Sequence, residues 1–190
     1  MTEKILMAGS GGQGIILIGK LFASAAMRTI PYVTFFPAYG AEVRGGTSSC
    51  EVVLSSEEIA SPVSESFDSM IIMSEDAKQR FLSRETSYTT VILNSSMCKL
   101  SRDENYTLLP ASDLAIKLGD IRIANFIMLG ALLSIKELVS QHNIESEIRR
   151  LFSERNAAIA DINIRALRCG YEYPRHTKHS KIRTKCKNEV

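Results

Sequence analysis

The sequence predicts an α/β fold: a single Rossmann-like domain with a mostly parallel sheet flanked by helices, and a helical C-terminal third. In the first half of the chain, short apolar runs alternate with helix-like segments, which is typical of parallel sheets with helices on their faces. After Pro110, the apolar residues follow a helical period. A length of 190 residues fits one domain with a substantial core, and no internal repeat is present.

The first elements surround a run of glycines. Residues 5–8 are apolar and predict a buried strand that stops at Gly9. A glycine-rich turn follows, and residues 15–30 predict a helix that is apolar nearly all round at its start. Residues 32–36 predict a second strand, ended by Pro37.

Three further strands and one helix are predicted before the helical part. The strands are expected at residues 49–54, 68–74 and 90–94, with a helix over 75–82. Residues 106–109 predict a short edge strand before a proline.

The last third predicts helices with recognisable ends. Ser112 or Asp113 is expected to cap one helix, and Asp120 a second that runs to about Val139. Two more helices are expected over residues 144–152 and 156–169, and Gly170 is expected to end the last as a C-cap.

The charge is unevenly distributed, which divides the chain into a domain (residues 1–172) and a basic tail (173–190). Six of the 23 Lys and Arg residues follow Tyr173, but only one of the 21 acids does. The rest of the chain therefore has 17 basic and 20 acidic residues. The tail is interpreted as a solvated, flexible end or as a surface for an anionic partner. Nucleic acid is not expected as the partner, because no aromatic residues interleave with these charges.

The cysteines argue against a metal centre held by this chain alone. None of the four forms a C-x-x-C pair, and the three histidines are not at zinc spacing with them. Scattered thiols and an N-terminus unlike a signal peptide predict a cytoplasmic protein. The longest uncharged apolar stretch, residues 123–135, is shorter than the about 20 residues that span a bilayer.

The glycine turn has the pattern of an anion site. Gly9, Gly11 and Gly14 satisfy G-x-G-x-x-G between a strand and a helix, where backbone N–H groups and the helix dipole attract a phosphate. A tight strand–helix turn without a ligand is the equally open alternative. A dinucleotide dehydrogenase is not expected, because the second strand ends without the acid that holds the ribose.

Three blocks resemble one known family. Residues 9–15 (G-S-G-G-Q-G-I) resemble the G-x-G-G-Q-G-I signature of the gamma family of 2-oxoacid:ferredoxin oxidoreductases. Residues 39–48 (Y-G-A-E-V-R-G-G-T-S) are similar to its Y-G-P-E-x-R-G-G-x-S block, with Ala41 where proline is common. Residues 124–131 are similar to its A-N-x-x-x-L-G-A helix, so the resemblance covers roughly residues 5–170.

The resemblance implies a subunit of an enzyme without an active site of its own. Such complexes decarboxylate a 2-oxoacid on thiamine diphosphate, pass electrons through [4Fe-4S] clusters to ferredoxin, and form an acyl-coenzyme A. It implies alpha, beta and delta-type partner subunits that carry the thiamine diphosphate and the clusters. 2-Oxoglutarate is the expected substrate, with pyruvate, branched-chain 2-oxoacids and indolepyruvate left open.

The resemblance also implies which residues help to bind or gate coenzyme A. These are Gly9, Gly11, Gly12, Gln13, Gly14, Glu42, Arg44, Gly45 and Asn125. Each polar member has a structural alternative. Arg44 either contacts an anion or pairs locally with Glu42. Gln13 binds a ligand or partner, or caps nearby backbone. Asn125 either contacts the ligand or serves the helix alone.

Two other functions remain open from the residues. The chain is either a stand-alone nucleotide- or coenzyme A-binding protein, or a structural assembly subunit whose glycine turn makes only interface contacts. The block at residues 39–48 argues against the first, because a lone mononucleotide site does not need it.

Overall fold

The computed structural model describes residues 1–39, 46–99, 106–152 and 157–176. The elements, with short 3₁₀ turns at Leu82–Arg84 and Ile121–Ile123, are β1 (Thr2–Ser10), α1 (Ile15–Ala26), β2 (Tyr32–Tyr39), β3 (Thr47–Ser55), β4 (Ser69–Ile72), α2 (Glu75–Phe81), β5 (Thr90–Asn94), β6 (Thr107–Leu109), α3 (Ala111–Leu118), α4 (Ala124–Lys136), α5 (Gln141–Phe152) and α6 (Ala157–His176).

The six strands form one sheet in the order β2-β3-β1-β4-β5-β6. The β1–β4, β4–β5 and β5–β6 pairs are parallel, whereas β3 runs antiparallel to both β1 and β2. The prediction of a mostly parallel sheet is therefore confirmed. The exception follows from chain length, because residues 40–46 are too few for the crossover that parallel neighbours require.

Helices cover both faces of the sheet. Along β1 the side chains alternate, so that Ile5 and Met7 pack toward α1 and α3–α6 while Leu6 and Ala8 pack toward α2. All four are fully buried. The sheet is thus a middle layer between a large helical layer and a small one, as the Rossmann-like prediction requires.

Two predicted boundaries in the first half are wrong. β2 does not end at Pro37 but runs through it to Tyr39, because β2 lies at the edge of the sheet, where a missing N–H can face outward. The helix expected over residues 15–30 ends at Ala26, and residues 27–29 form a turn.

The prediction that Gly170 ends the last helix is also wrong. α6 passes through Gly170, which lies against the backbone of α4: an added Cβ would come within 2.6 Å of the Ile127 carbonyl carbon. Gly130 on α4 faces α6 in the same way, since an added Cβ there would lie 2.8 Å from the Tyr171 nitrogen. The two glycines therefore serve a close helix crossing.

The expected cap of α3 is wrong as well. Its N-cap is Pro110, and the first N–H groups of the helix are satisfied from outside. The Asn94 Oδ1 at the end of β5 accepts from the nitrogens of Ala111 at 3.1 Å and Ser112 at 3.4 Å. Asp120 does cap as predicted, accepting from the Arg122 nitrogen at 2.9 Å, but it begins the 3₁₀ turn that leads into α4.

The predicted start of the tail stays a prediction. α6 continues to His176, past the proposed boundary at residue 172, and residues 177–190 lie outside the described part of the chain. None of the described helices is both long and apolar enough to cross a membrane.

Glu147 joins α5 to α1 and makes stability depend on pH. Burial raises the pKa of this carboxyl, but hydrogen bonds from Arg150, Arg28 and Ser24 outweigh burial, so its pKa lies below the ordinary 4.5. A carboxyl with a lowered folded pKa stabilises the protein above its unfolded pKa, and that contribution is lost as pH falls through the folded value.

We therefore expect Glu147→Gln to lower the free energy of unfolding by about 1–2 kcal/mol at pH 7. The difference from wild type should shrink as the pH falls below 4.5. Urea titrations from pH 7 to pH 3 measure this, with exposed Glu58→Gln as the control. A difference that is constant over this range would contradict the expectation.

Candidate functional site

The glycine turn, residues 9–14, lies at the carboxyl end of β1, the edge where ligands bind in open α/β sheets. Gly12 and Gly14 have φ angles of 86° and 70°, in the left-handed region that side chains disfavour. Gly11 and Gly12 are exposed, while Gly14 is half-buried. The backbone of Gly11 and Gly12 is thus exposed at this edge of the sheet.

Gly9 and Gln13 fix the shape of the turn. A Cβ on Gly9 would lie 2.9 Å from the Met73 Cβ and would also collide with the Gln13 side-chain oxygen. That oxygen accepts from the Ser10 nitrogen at 2.8 Å, and the Gln13 amide nitrogen donates to the Met73 carbonyl at 3.4 Å. Gln13 therefore ties β1 to the end of β4, and any ligand contact would be additional.

The turn opens the N-terminus of α1. The cap residue, Gly14, has no side chain to satisfy the first N–H groups, and the first turn of the helix holds no acid. Both features leave the positive end of a twelve-residue helix available to an anion. The arrangement suits a phosphate group.

Asn125 holds the turn from α4. Its side chain is 2% exposed, and its Nδ2 donates to the Gly14 carbonyl at 3.2 Å. The Asn125 Oδ1 accepts from the Phe126 nitrogen at 2.8 Å. The two motifs, 111 residues apart in sequence, are thus one assembly in which Asn125 positions the start of α1.

The loop between β2 and β3 ends beside the turn. The Gly11 nitrogen donates to the Gly46 carbonyl at 3.0 Å, so the C-terminal end of this loop lies against the glycine turn. The predicted site residues Glu42, Arg44 and Gly45 lie outside the described residues. Thr47, the first residue of β3, is held from α2, where the Arg80 Nη1 donates to the Thr47 hydroxyl at 2.6 Å.

Asn94 is a site residue that sequence analysis missed. It is fully buried at the carboxyl end of β5, where its Nδ2 donates to the Met73 carbonyl at 3.3 Å and the Ser112 hydroxyl at 3.0 Å. The Met73 carbonyl thus accepts hydrogen bonds from both Asn94 and Gln13. A polar amide ending an apolar strand was the available signal.

A cleft of about 160 Å³ lies next to the turn. It is lined by Gly12, Gln13, Met73, Met97, Ser112, Ile121, Arg122 and Ala124. Arg122, also unpredicted, is held by Asp120: its Nε lies 2.9 Å and 3.0 Å from the two carboxylate oxygens, and its Nη2 2.6 Å from Oδ2. Hydrogen bonds from Arg122 hold the pKa of Asp120 below its ordinary value.

The described residues do not offer a donor set for a metal or an iron–sulfur cluster. Within residues 1–39, 46–99, 106–152 and 157–176, no three His, Cys, Asp or Glu side chains come together. Burial raises the pKa of Cys50 to about 12, which disfavours the thiolate that binds metals. Its sulfur donates instead to the Ile15 carbonyl at 3.6 Å.

The sequence that forms this site matches a known family. Residues 4–173 match the family of pyruvate ferredoxin/flavodoxin oxidoreductases. The chain belongs to this family. The match covers both the glycine turn and the Asn125 helix, and it confirms the relationship that their motifs predict.

Named relatives of this oxidoreductase family fall into two size classes. The chain is 31% identical over 175 residues to the ketoisovalerate oxidoreductase subunit VorA of Methanothermobacter marburgensis, covering 90% of this chain but 36% of VorA. It is 34% identical over 159 residues to the 2-oxoglutarate synthase subunit KorC of the same organism, covering 78% of this chain and 86% of KorC. The chain therefore spans about a third of VorA and nearly all of KorC.

A solved family member shares the fold. The gamma subunit of a keto/oxoacid ferredoxin oxidoreductase from Geobacter sulfurreducens superimposes with a TM-score of 0.76 at 24% identity. The superposition covers 90% of this chain and 95% of that one. This chain therefore shares the α/β architecture of that gamma subunit.

Proposed function

We propose that this chain is the gamma-type subunit of a 2-oxoacid:ferredoxin oxidoreductase that converts a 2-oxoacid to its acyl-coenzyme A. In this proposal the glycine turn contributes to coenzyme A binding or gating. The observation that carries it is the joining of two family motifs in one site, where Asn125 holds the Gly14 carbonyl at the open N-terminus of α1.

The turn suits the phosphates of coenzyme A for physical reasons. Two glycines with positive φ allow close approach of backbone, and the α1 N-terminus supplies N–H groups and a partial positive charge. The neighbouring cleft adds the apolar side chains of Met73, Met97 and Ile121, which can pack against an aliphatic arm. An anion with an apolar extension therefore fits better than a bare phosphate.

2-Oxoglutarate is the proposed substrate. KorC, a 2-oxoglutarate synthase subunit, has nearly the same length as this chain and 34% identity. VorA, a ketoisovalerate oxidoreductase subunit, has 31% identity, and the match covers 36% of its length. The higher identity, over 86% of KorC against 36% of VorA, supports KorC as the better guide to substrate.

Alpha, beta and delta-type subunits are the proposed partners in a cytoplasmic complex. Thiamine diphosphate and [4Fe-4S] clusters would lie on those chains, because the described cysteines and acids here do not converge on a metal site. When bound there, these groups would supply decarboxylation and one-electron transfer to ferredoxin. The role of this chain would be to hold and orient coenzyme A.

A tagged pull-down from the native host tests the subunit assignment. Recovery of a thiamine diphosphate-binding chain and a cluster-bearing chain is expected. The eluate should reduce a viologen with coenzyme A and 2-oxoglutarate faster than with pyruvate, ketoisovalerate or indolepyruvate. Recovery of this chain alone under gentle anaerobic conditions would overturn the proposal in favour of a stand-alone binding protein.

The internal hydrogen bonds of the turn favour a second candidate, a structural assembly subunit. Gln13 and Asn125 are both engaged with backbone, so the turn holds its shape without a ligand. Calorimetric titration of the complex with coenzyme A separates the two functions. Saturable binding that is lost on removing the tagged subunit supports the first; binding that persists without it supports the second.

Arg44→Ala is expected to raise the KM for coenzyme A about tenfold, because a charge-assisted contact to phosphate is lost. Release of CO₂ from the 2-oxoacid in the absence of coenzyme A should stay unchanged. Steady-state and single-turnover assays of the complex measure the two steps. Arg149→Ala, an exposed arginine on α5, is the control. Equal loss of both steps would indicate failed assembly instead.

A further inference from the structure

The cleft beside the glycine turn has an arginine at its exposed side. Arg122 and the turn residues Gly12 and Gln13 line the same cleft of about 160 Å³. The Arg122 side chain is 84% exposed, whereas Met73 at the base is 1% exposed. A cationic side chain and the glycine turn thus border a cleft with an apolar base.

Asp120 orients the Arg122 guanidinium rather than burying it. Both carboxylate oxygens of Asp120 accept a hydrogen bond from Nε, and one of them also accepts from Nη2. The plane of the guanidinium is therefore fixed. Within the described residues, Nη1 makes no hydrogen bond. Three of the five N–H donors of an arginine therefore remain for a ligand.

The pairing with Asp120 offsets the charge of Arg122, so the site selects a ligand by the geometry of its hydrogen bonds. Because the ion pair is close to neutral, attraction to an anion depends on the aligned donors of Arg122 and on the α1 N-terminus rather than on net charge. A second contact helps to fix the position of Arg122, because the Asp120 Oδ1 also accepts from the Arg122 backbone nitrogen at 2.9 Å. Such preorganisation lowers the entropy lost on binding a phosphate.

We propose that Arg122 is a phosphate-binding residue of this cleft and contacts a phosphate group of coenzyme A bound at the glycine turn. The inference rests on the proposed function and deepens it by naming a residue that the family motifs did not select. The apolar side chains of Met73, Met97 and Ile121, which line the same cleft, receive a non-polar part of the same ligand.

Calorimetric titration of the purified complex with three ligands tests this. Arg122→Gln is expected to raise the Kd for coenzyme A about tenfold and to leave the Kd for pantetheine, which has no phosphate, unchanged. 3′-Dephospho-coenzyme A locates the contact: an effect that persists assigns Arg122 to the diphosphate, and one that disappears assigns it to the 3′-phosphate. Arg149→Gln, whose arginine pairs with Asp161 at 3.3 Å, is the matched control.

The outcomes separate this inference from the proposed function. If the wild-type complex binds coenzyme A and Arg122→Gln binds it equally well, the role of Arg122 is overturned and the proposed function stands. An equal rise in Kd for coenzyme A and pantetheine also overturns it, since a purely structural change would affect both. If the wild-type complex does not bind coenzyme A, both are overturned.

Discussion

Gly170→Ala is expected to lower the free energy of unfolding by about 3 kcal/mol, at the upper end of the cost of overpacking a core. In an ordinary helix interior this change would instead stabilise by about 1 kcal/mol, through the better helix propensity of alanine. The sign reverses because the new Cβ would meet the Ile127 backbone, its carbonyl carbon at 2.6 Å. Backbone cannot rotate away as a side chain can, so α4 and α6 must separate.

Urea unfolding followed by circular dichroism measures this loss. Gly119→Ala is the matched control: Gly119 has a φ of 109°, and nothing lies within 4 Å of a Cβ there. It should cost only backbone strain, about 1–2 kcal/mol. A neutral or stabilising Gly170→Ala would contradict the close crossing of the two helices.

Gly14→Ala is expected to cost about 3 kcal/mol of stability and to raise the KM for coenzyme A at least tenfold. A φ of 70° strains any residue with a Cβ by about 1–2 kcal/mol. The Cβ would also collide with the Asn125 amide, and displacing it leaves buried polar groups unpaired, at about 1–3 kcal/mol. The start of α1 would move, which couples stability to ligand binding.

Gly12→Ala separates the two causes. Gly12 has a similar φ of 86°, but nothing lies within 4 Å of a Cβ there. In urea unfolding it should therefore show the strain alone, and Asn125→Ala should show the lost hydrogen bond alone. Urea titrations and coenzyme A saturation curves of the complex measure both properties. Equal losses of unfolding free energy for Gly12→Ala and Gly14→Ala would exclude a role for the Asn125 contact in stability.

The order of strands and helices was predictable because local patterns determine it. Apolar runs at β1, β4 and β5 are buried on both sides, and such runs identify parallel inner strands without any tertiary information. Helix ends were less predictable. Asn94 replaces the expected cap of α3 from a distant strand, and Gly170 has a different role because another helix lies against it.

The polar residues of the site show the same division. The glycine turn, Gln13 and Asn125 belong to motifs that the sequence displays, yet only the structure shows that the Asn125 amide reaches Gly14. Arg122 and Asp120 follow no family block used in the prediction. Folding brings Arg122 to the cleft that Gly12 lines, and Asp120 holds its guanidinium there.

The sequence by itself determined the α/β class, the position of the glycine turn and the family, because each depends on residues near one another in the chain. The tertiary structure decided how the motifs cooperate, since contacts such as Asn125 to Gly14 and Gly170 to Ile127 join residues far apart in sequence. It also decided that β3 lies between β1 and β2: the short connection at residues 40–46 makes β3 antiparallel to an adjacent β2, but only the folded sheet shows that the two strands are neighbours.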